Sequence, residues 1–371
     1  MIEDLLEALF SLESLIAAFG GGAFGAAIGA LPAFIFTGFL VIVGEAAVLV
    51  DPGATAITDD VAFGPAFSPA VSFGGGAAAT AYAARQGYLN TGFRYHEAKN
   101  VTRALGTKPD VLAVGGAFGV LGFWLTELSV TLGMPYDPIA MGVVLSALFH
   151  RLILRYSLVG RVRGNVLDMS PFERGERREP APDGGQATAE RIEHESGVRS
   201  RIRARLVVEP WLPHQYRWGH VATTGLVAGI LGAYVAVVTG SAFLAFGISA
   251  ATLLFLNCGV ENVPVTHHVT LPASTAALAV ALGPDEIEDA PVPYNDAAVL
   301  AGSGSLEVAL LVGAAVGIAS ALFGELFQRV FYAHGETHVD PPAAGIVFGT
   351  ALVVALYLVT VLPTTVWVPF F

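Results

Sequence analysis

Six stretches of the chain, 14–50, 110–132, 138–156, 219–256, 306–332 and 341–363, run for about 20 residues or more with few charges, the length a helix needs to cross a hydrocarbon core. Two of them, 14–50 and 219–256, are long enough for two spans each. The whole chain is 54% hydrophobic and 13% charged, with a mean hydropathy of +0.63, whereas a soluble domain carries about a quarter charged residues. Isolated strands would leave unpaired N–H and C=O groups in lipid, and the alternation of a β-barrel is absent. The fold class read from the sequence is therefore an all-α integral membrane protein, multi-pass in the cell membrane, with the lipid bilayer as its first partner. The amino terminus has no basic segment ahead of its apolar run, which predicts a retained span and not a cleaved signal. One cysteine, Cys258, excludes an intramolecular disulfide framework.

An internal repeat organises these stretches. Val111-Leu-Ala-Val-Gly-Gly-Ala-Phe-Gly lies without gaps on Ala309-Leu-Leu-Val-Gly-Ala-Ala-Val-Gly, so that Gly115 meets Gly313, Gly119 meets Gly317 and Glu127 meets Glu325, each pair 198 positions apart. Beyond a five-residue insertion, Asp137-Pro-Ile-Ala-Met-Gly matches Asp340-Pro-Pro-Ala-Ala-Gly. Ile28-Gly-Ala with Thr37-Gly echoes Leu231-Gly-Ala with Thr239-Gly. Duplication predicts repeat 1 over 1–156, a polar linker over 157–217 and repeat 2 over 218–371. Each copy reads as five helical segments, at 14–30, 32–50, 62–87, 108–132 and 138–156, then 219–238, 241–257, 262–283, 305–332 and 341–363. Within the linker, 173–185 is rich in Pro, Gly and charge and reads as disordered, and 186–208 as an amphipathic surface helix.

Thirteen of the nineteen Lys and Arg fall in 151–217 and five more in 85–108, which predicts that both segments face the cytoplasm. The counterpart of the basic 85–108 loop, 284–296, has acids and no Lys or Arg, as an inverted second copy requires. If the third segment crosses fully, the architecture is 5+5, inverted, with both termini outside. If it re-enters, the architecture is parallel 4+4. The first is preferred.

The third segments carry the functional signal. Gly64-Pro-Ala-Phe-Ser-Pro-Ala-Val-Ser-Phe-Gly and Val263-Pro-Val-Thr-His-His-Val-Thr-Leu-Pro are rich in breakers, and each precedes a small-residue half-helix, 77–85 and 272–282. Thr270 reads as N-cap with Pro272 at the first helical position. A half-helix starting near the midplane aims free N–H groups and its positive end inward, which marks a solute or ion site. The expected contacts are Ser68, Ser72, His267, His268 and Thr270; Glu127 and Glu325 are the coupling candidates, with Glu45 and Glu261 weaker. In the inserted loop, His334, Glu336, His338 and Asp340 alternate, and an extended backbone would turn all four to one side as N and O ligands for a divalent metal. No other cofactor is expected.

Phe67-Ser-Pro-Ala-Val-Ser resembles the Asn-Pro-Ala-Val-Thr stretch of aquaporin half-helices, with Ser68 in place of the asparagine and no match in the second copy, and reads as a convergent solution. With only two lysines, Lys99 and Lys108, a net charge of −12 and acidic loops, the composition suggests a salt-adapted prokaryote or archaeon. The whole chain resembles uncharacterised permease-like membrane proteins of halophilic archaea, which implies transport without naming a substrate. Glycines at four-residue spacing predict close helix packing and a surface for homo-oligomers. No nucleotide fingerprint is present, and nine acids beside the linker's eleven Arg make it a poor nucleic-acid binder. The leading function is a permease or secondary transporter for a small solute or ion, not an enzyme. A passive channel, a structural membrane protein and an intramembrane metalloenzyme are the alternatives.

Overall fold

The computed structural model describes residues 9–178, 205–282 and 306–370; the expectations for 186–204 and 284–296 and most of the disordered segment lie outside them. Among the described residues the chain is helical, with one isolated β-bridge between Arg177 and Leu206. Among the described residues, ten helices of fourteen residues or more form the body: α1 (Leu12–Ile28), α2 (Ala30–Val50), α3 (Ser72–Arg85), α4 (Pro109–Thr131), α5 (Pro138–Ile153), α6 (Trp218–Thr239), α7 (Leu244–Asn257), α8 (His267–Ala281), α9 (Leu306–Phe327) and α10 (Pro341–Leu358). Five helices, α2, α4, α6, α9 (extended by a π-turn to Tyr332) and α10, are long and apolar enough to cross a membrane. Large apolar side chains face outward, with Val50 88% and Leu311 71% exposed, while the interior is filled by Ala, Gly and small polar residues.

Local chemistry sets the boundaries. Gly29 alone separates α1 from α2, at φ 101°, a left-handed conformation that ends one helix and redirects the next. Asp137 and Asp340 cap α5 and α10 by accepting backbone N–H groups, and each cap is followed by proline in the first turn, where no N–H is missed.

The two short helices start earlier than the sequence suggests. α3 begins at Ser72 and takes in Gly74, Gly75 and Gly76, because packing overrides their poor propensity: a Cβ on Gly75 would stand 2.5 Å from Gly115 O and 2.7 Å from Gly22 Cα. α8 begins at His267 with Thr266 at its N-cap position, so Thr270 is no cap and Pro272 lies inside the helix. Proline there leaves the carbonyl four residues back without its donor. That carbonyl belongs to His268, and Ser320 Oγ lies 2.6 Å from it.

Helices α1, α3 and α4 pack together, as do α6, α8 and α9. In the first group Gly22 faces Gly115 and Gly119; in the second Gly229 faces Gly313, Ala314 and Gly317. Gly25 abuts Ser72, and Gly232 abuts Thr270. The spacing between matching positions is 198 in α3/α8 and α4/α9, but the glycines of α1 and α6 pair at 207 (Gly22 with Gly229, Gly25 with Gly232), not through Ile28-Gly-Ala and Leu231-Gly-Ala. These glycines make their close contacts inside one chain. Between the groups, α2 packs on α7 and α5 on α10. α5 and α10 run antiparallel: Asp137 N donates to Thr350 Oγ1 far along α10, whereas His150 and Arg151 near the end of α5 meet Thr337 just before α10.

These close approaches predict unequal outcomes for two glycines of α1. A Cβ on Gly25 would stand 1.9 Å from Ser72 O, so Gly25→Val should abolish the monodisperse folded species on size-exclusion chromatography in detergent. Nothing lies within 4 Å of a Cβ on Gly20, and Gly20→Ala should leave the thermal midpoint unchanged or raise it, the helical preference being worth up to about 1 kcal/mol.

Candidate functional site

A cavity of about 1060 Å³ lies between the two helix groups. Residues of both groups line it: Pro69 and Phe73 at the start of α3, and His267 and Leu271 of α8, each pair 198 apart in the sequence. Asp137, Ala140 and Val143 of α5 line it, as do Asp340, Ala343 and Ile346 of α10, 203 apart in the sequence, with the two aspartates toward opposite ends of the antiparallel pair. Phe34 of α2 and Phe246 of α7 close it, with ring centroids 5.9 Å apart.

The polar groups in this aromatic and aliphatic wall are few. His267 is 5% exposed and packs against Phe34 at 4.7 Å and Phe246 at 6.0 Å, and neither ring nitrogen has a hydrogen-bond partner among the described residues. His338 Nε2 lies 3.0 Å from Asp340 Oδ1, while its Nδ1 is buried without a partner. Asp340 Oδ2 accepts from Ala343 N at 2.9 Å. Asp137 Oδ1 accepts from Ile139 N and Ala140 N at 2.8 and 3.0 Å. Glu127 also lines the cavity, half-buried, with no ion pair or hydrogen bond among the described residues.

A charged knot closes one end. Lys99 Nζ donates to Glu209 Oε2 and to Tyr332 O, both at 2.8 Å, and stands 4.3 Å from the centre of the Tyr332 ring. Glu209 is fully buried and also pairs with Arg205; its N–H donates to Ala333 O at 2.9 Å. Burial pulls the Lys99 ammonium down to about 7 against the upward pull of Glu209. Burial alone would raise Glu209, but Lys99 and Arg205 outweigh it and hold its carboxyl below the ordinary range. The two directions disagree on whether the pair favours its ions. The Glu209 direction is the firmer, since two cations and three charge-assisted contacts converge on it.

The expected site residues divide. His267, His338, Asp340 and Glu127 line the cavity. Ser68 and Ser72 do not: Ser72 Oγ donates to Phe67 O and Ser68 O, tightening the turn that enters α3, and Ser68 Oγ is buried without a partner. Thr270 turns away to Ser249 Oγ at 3.2 Å. His268 faces the other side, where a void of about 10 Å³ separates it from Glu325, Trp211 and Gln215, room for about one water. Glu325 is held by Arg329 at 2.6 Å and Gln328 at 3.0 Å, away from the cavity. Glu45 is structural, accepting from Thr58 and from Ser241 and so tying α2 to the α6–α7 turn. Glu261 is exposed at the cavity rim.

The four side chains of the inserted loop are dispersed. The backbone before α10 does not turn the four side chains together: His334 Nε2 meets Val166 O at 3.1 Å, Glu336 pairs with Arg178 and Arg205, and only His338 and Asp340 meet. Among the described residues no three His, Cys, Asp or Glu converge as metal ligands. Three residues of the site escaped sequence reading. Asp137 was visible as the match of Asp340 but carried no motif of its own. Lys99 and Glu209, 110 positions apart, look like ordinary loop charges.

The knot yields a stability prediction. Glu209→Gln strands the buried Lys99 ammonium and should cost about 3 kcal/mol or more, whereas Lys99→Met leaves Glu209 paired with Arg205 and should cost less, read as thermal midpoints in detergent. Because the folded Glu209 pKa lies below its ordinary 4.5, its contribution is fully present above that value and is lost as pH falls below it. The wild-type midpoint should therefore drop on acidification more steeply than that of Glu209→Gln.

The model of a family of unknown function, DUF7973, matches residues 4–371. No curated protein and no solved structure matches the chain.

Proposed function

We propose that the chain, which belongs to DUF7973, is a multi-pass membrane permease that passes a small solute through a cavity between two inverted repeats. The observation that carries this reading is the construction of the cavity: the starts of α3 and α8 and the capped starts of α5 and α10 meet there from both halves. Half-helices that begin inside a bundle, at the interface of two repeats, are how transporters build a midplane site. The matched glycine contacts support the duplication, and the antiparallel α5 and α10 support its inversion. With the basic loops 85–108 and 157–217 in the cytoplasm, both termini lie outside. The outward apolar side chains face lipid.

The size of the cavity suits an organic solute. Its wall is mainly aromatic and aliphatic, with polar groups in separate clusters, which suits a binding site better than a continuous polar pore. His267, His338 and Asp340 serve as solute contacts, Glu127 as a candidate for coupling within the cavity, and His268 and Glu325 as a polar pair behind it. No catalytic role is assigned to any residue.

The test is flux from proteoliposomes loaded with a defined mixture of small organic cations, anions and neutral solutes, followed by mass spectrometry of what remains. Vesicles holding the wild-type chain should lose at least one solute faster than protein-free vesicles. His267→Ala, which removes the unpartnered imidazole, should slow that loss about tenfold, the worth of one well-placed polar contact. Equal retention with and without protein overturns the permease reading, and unchanged loss in the variant removes His267 from the site.

A further inference from the structure

The cavity holds more carboxylates than cations to match them. Glu127, Asp137 and Asp340 line it, and the buried cation at its wall, Lys99, is already neutralised by Glu209. Arg94 lies on the exposed rim. Among the described residues no Lys, Arg or His stands within ion-pair distance of Asp137 or Glu127, and Asp340 meets only His338.

Asp137 is the sharpest case. It is 6% exposed, its Oδ1 takes both cap hydrogen bonds, and its Oδ2 has no partner among the described residues. Capping needs an acceptor oxygen and no formal charge, so Ser, Thr or Asn would serve α5 as well. A buried carboxylate without a counter-ion is costly, and the positive end of one helix offsets only about half a charge. The α10 cap repeats the arrangement: Asp340 follows Thr337, which hydrogen-bonds His150 and Arg151 at the far end of α5. By the rise per residue the two carboxylates stand about 15 Å apart, one toward each end of the cavity.

Between them the wall is aromatic. Phe34 packs on Phe73 and Phe246, Phe63 on Phe243, and Phe243 on Trp367, with centroids 5.1 to 6.1 Å apart. Aromatic faces attract cations and repel anions. His267, nearly fully buried, faces this space and is bonded to nothing among the described residues, so it is free to meet a bound molecule.

We infer that the cavity binds a hydrophobic organic cation, with Asp137 as its counter-ion at one end and Asp340 at the other. The inference names the substrate class of the proposed permease, and it rests on that reading for passage but not for binding. The competing ligand is an organic anion drawn to the start of α8, where the first N–H groups have no side-chain cap.

Two ions of the same shape and opposite charge separate these cases. Purified full-length chain in uncharged detergent is titrated with tetraphenylphosphonium and with tetraphenylborate, following the fluorescence of Trp211 and Trp367 at the cavity wall, with a protein-free micelle control. Tetraphenylphosphonium should bind saturably at one per chain, and tetraphenylborate at least about tenfold more weakly. Asp137→Asn and Asp340→Asn keep a capping oxygen, so each should retain the wild-type thermal midpoint within a few degrees while weakening the cation at least about tenfold. Equal or tighter binding of the borate, saturable binding of neither ion, or unchanged cation affinity in both variants overturns the inference. The flux experiment fails separately: saturable, Asp137-dependent cation binding with no flux of any solute removes the permease and keeps the site, whereas flux of anions with borate-selective binding keeps the permease and removes the cation.

Discussion

Backbone-to-backbone approach at glycine is the constraint on which this bundle depends. In an apolar surrounding, helices gain nothing by burying leucine against leucine, so association rests on close contact and on polar groups that find partners. Gly22 against Gly115 and Gly119, and Gly229 against Gly313 and Gly317, bring α1 onto α4 and α6 onto α9 with no side chain between them. The short helices are seated by the same contacts: Gly75 fits between Gly115 and Gly22, and Gly232 abuts Thr270. Neither α3 nor α8 could hold its place alone, being fourteen and fifteen residues long. Their starts, and therefore the position of His267, are set by glycines on other helices.

A second requirement follows from the low polarity of the interior, where each buried polar group needs a partner. Most of the awkward groups have one. Ser320 takes the carbonyl that Pro272 leaves open, and Arg151, fully buried, spends its donors on Thr337 and on Leu158 O. Gly335 is glycine because a Cβ there would stand 2.3 Å from that guanidinium. Against this background the unpartnered atoms stand out. Of the ten buried side-chain atoms without a partner among the described residues, three, His267 Nδ1, His338 Nδ1 and Tyr95 OH, belong to residues that line the cavity, and seven, among them Ser68 Oγ and His268 Nδ1, do not.

Hydropathy made the helical class and most span boundaries legible, since transfer into lipid is governed by composition over about 20 residues. The 198 spacing was legible because α4 and α9 keep their glycines in register. The 207 spacing of α1 and α6 was not, because loop lengths before α3 and α8 differ and only contact reveals which glycine matches which. Local propensity misplaced the starts of both short helices: three glycines and an internal proline read as breaks, and tertiary partners overrode them. At the site, His267 was legible as a polar residue in an apolar segment. Its neighbour His268 looked identical in the sequence and faces the opposite way, a difference that only helix phase at the true start of α8 decides. The alternating His334 to Asp340 pattern failed for a related reason, since the backbone there is bent around Arg151 and is not extended.

On the inverted reading, the positions where the halves differ are where the two sides of the cavity are specialised. Pro69 is replaced across the cavity by His267, and Phe73 by Leu271, so the α8 side carries the imidazole and the α3 side the larger ring. Glu127 and Glu325 occupy matching places in α4 and α9, yet Glu127 borders the cavity while Glu325 is bound to Arg329 and Gln328. Asp137 and Asp340 keep both the same residue and the same capping role. On that reading the two capping carboxylates are equivalent, while the histidines, His267 and His338, belong to one half only and make the two ends of the cavity unequal.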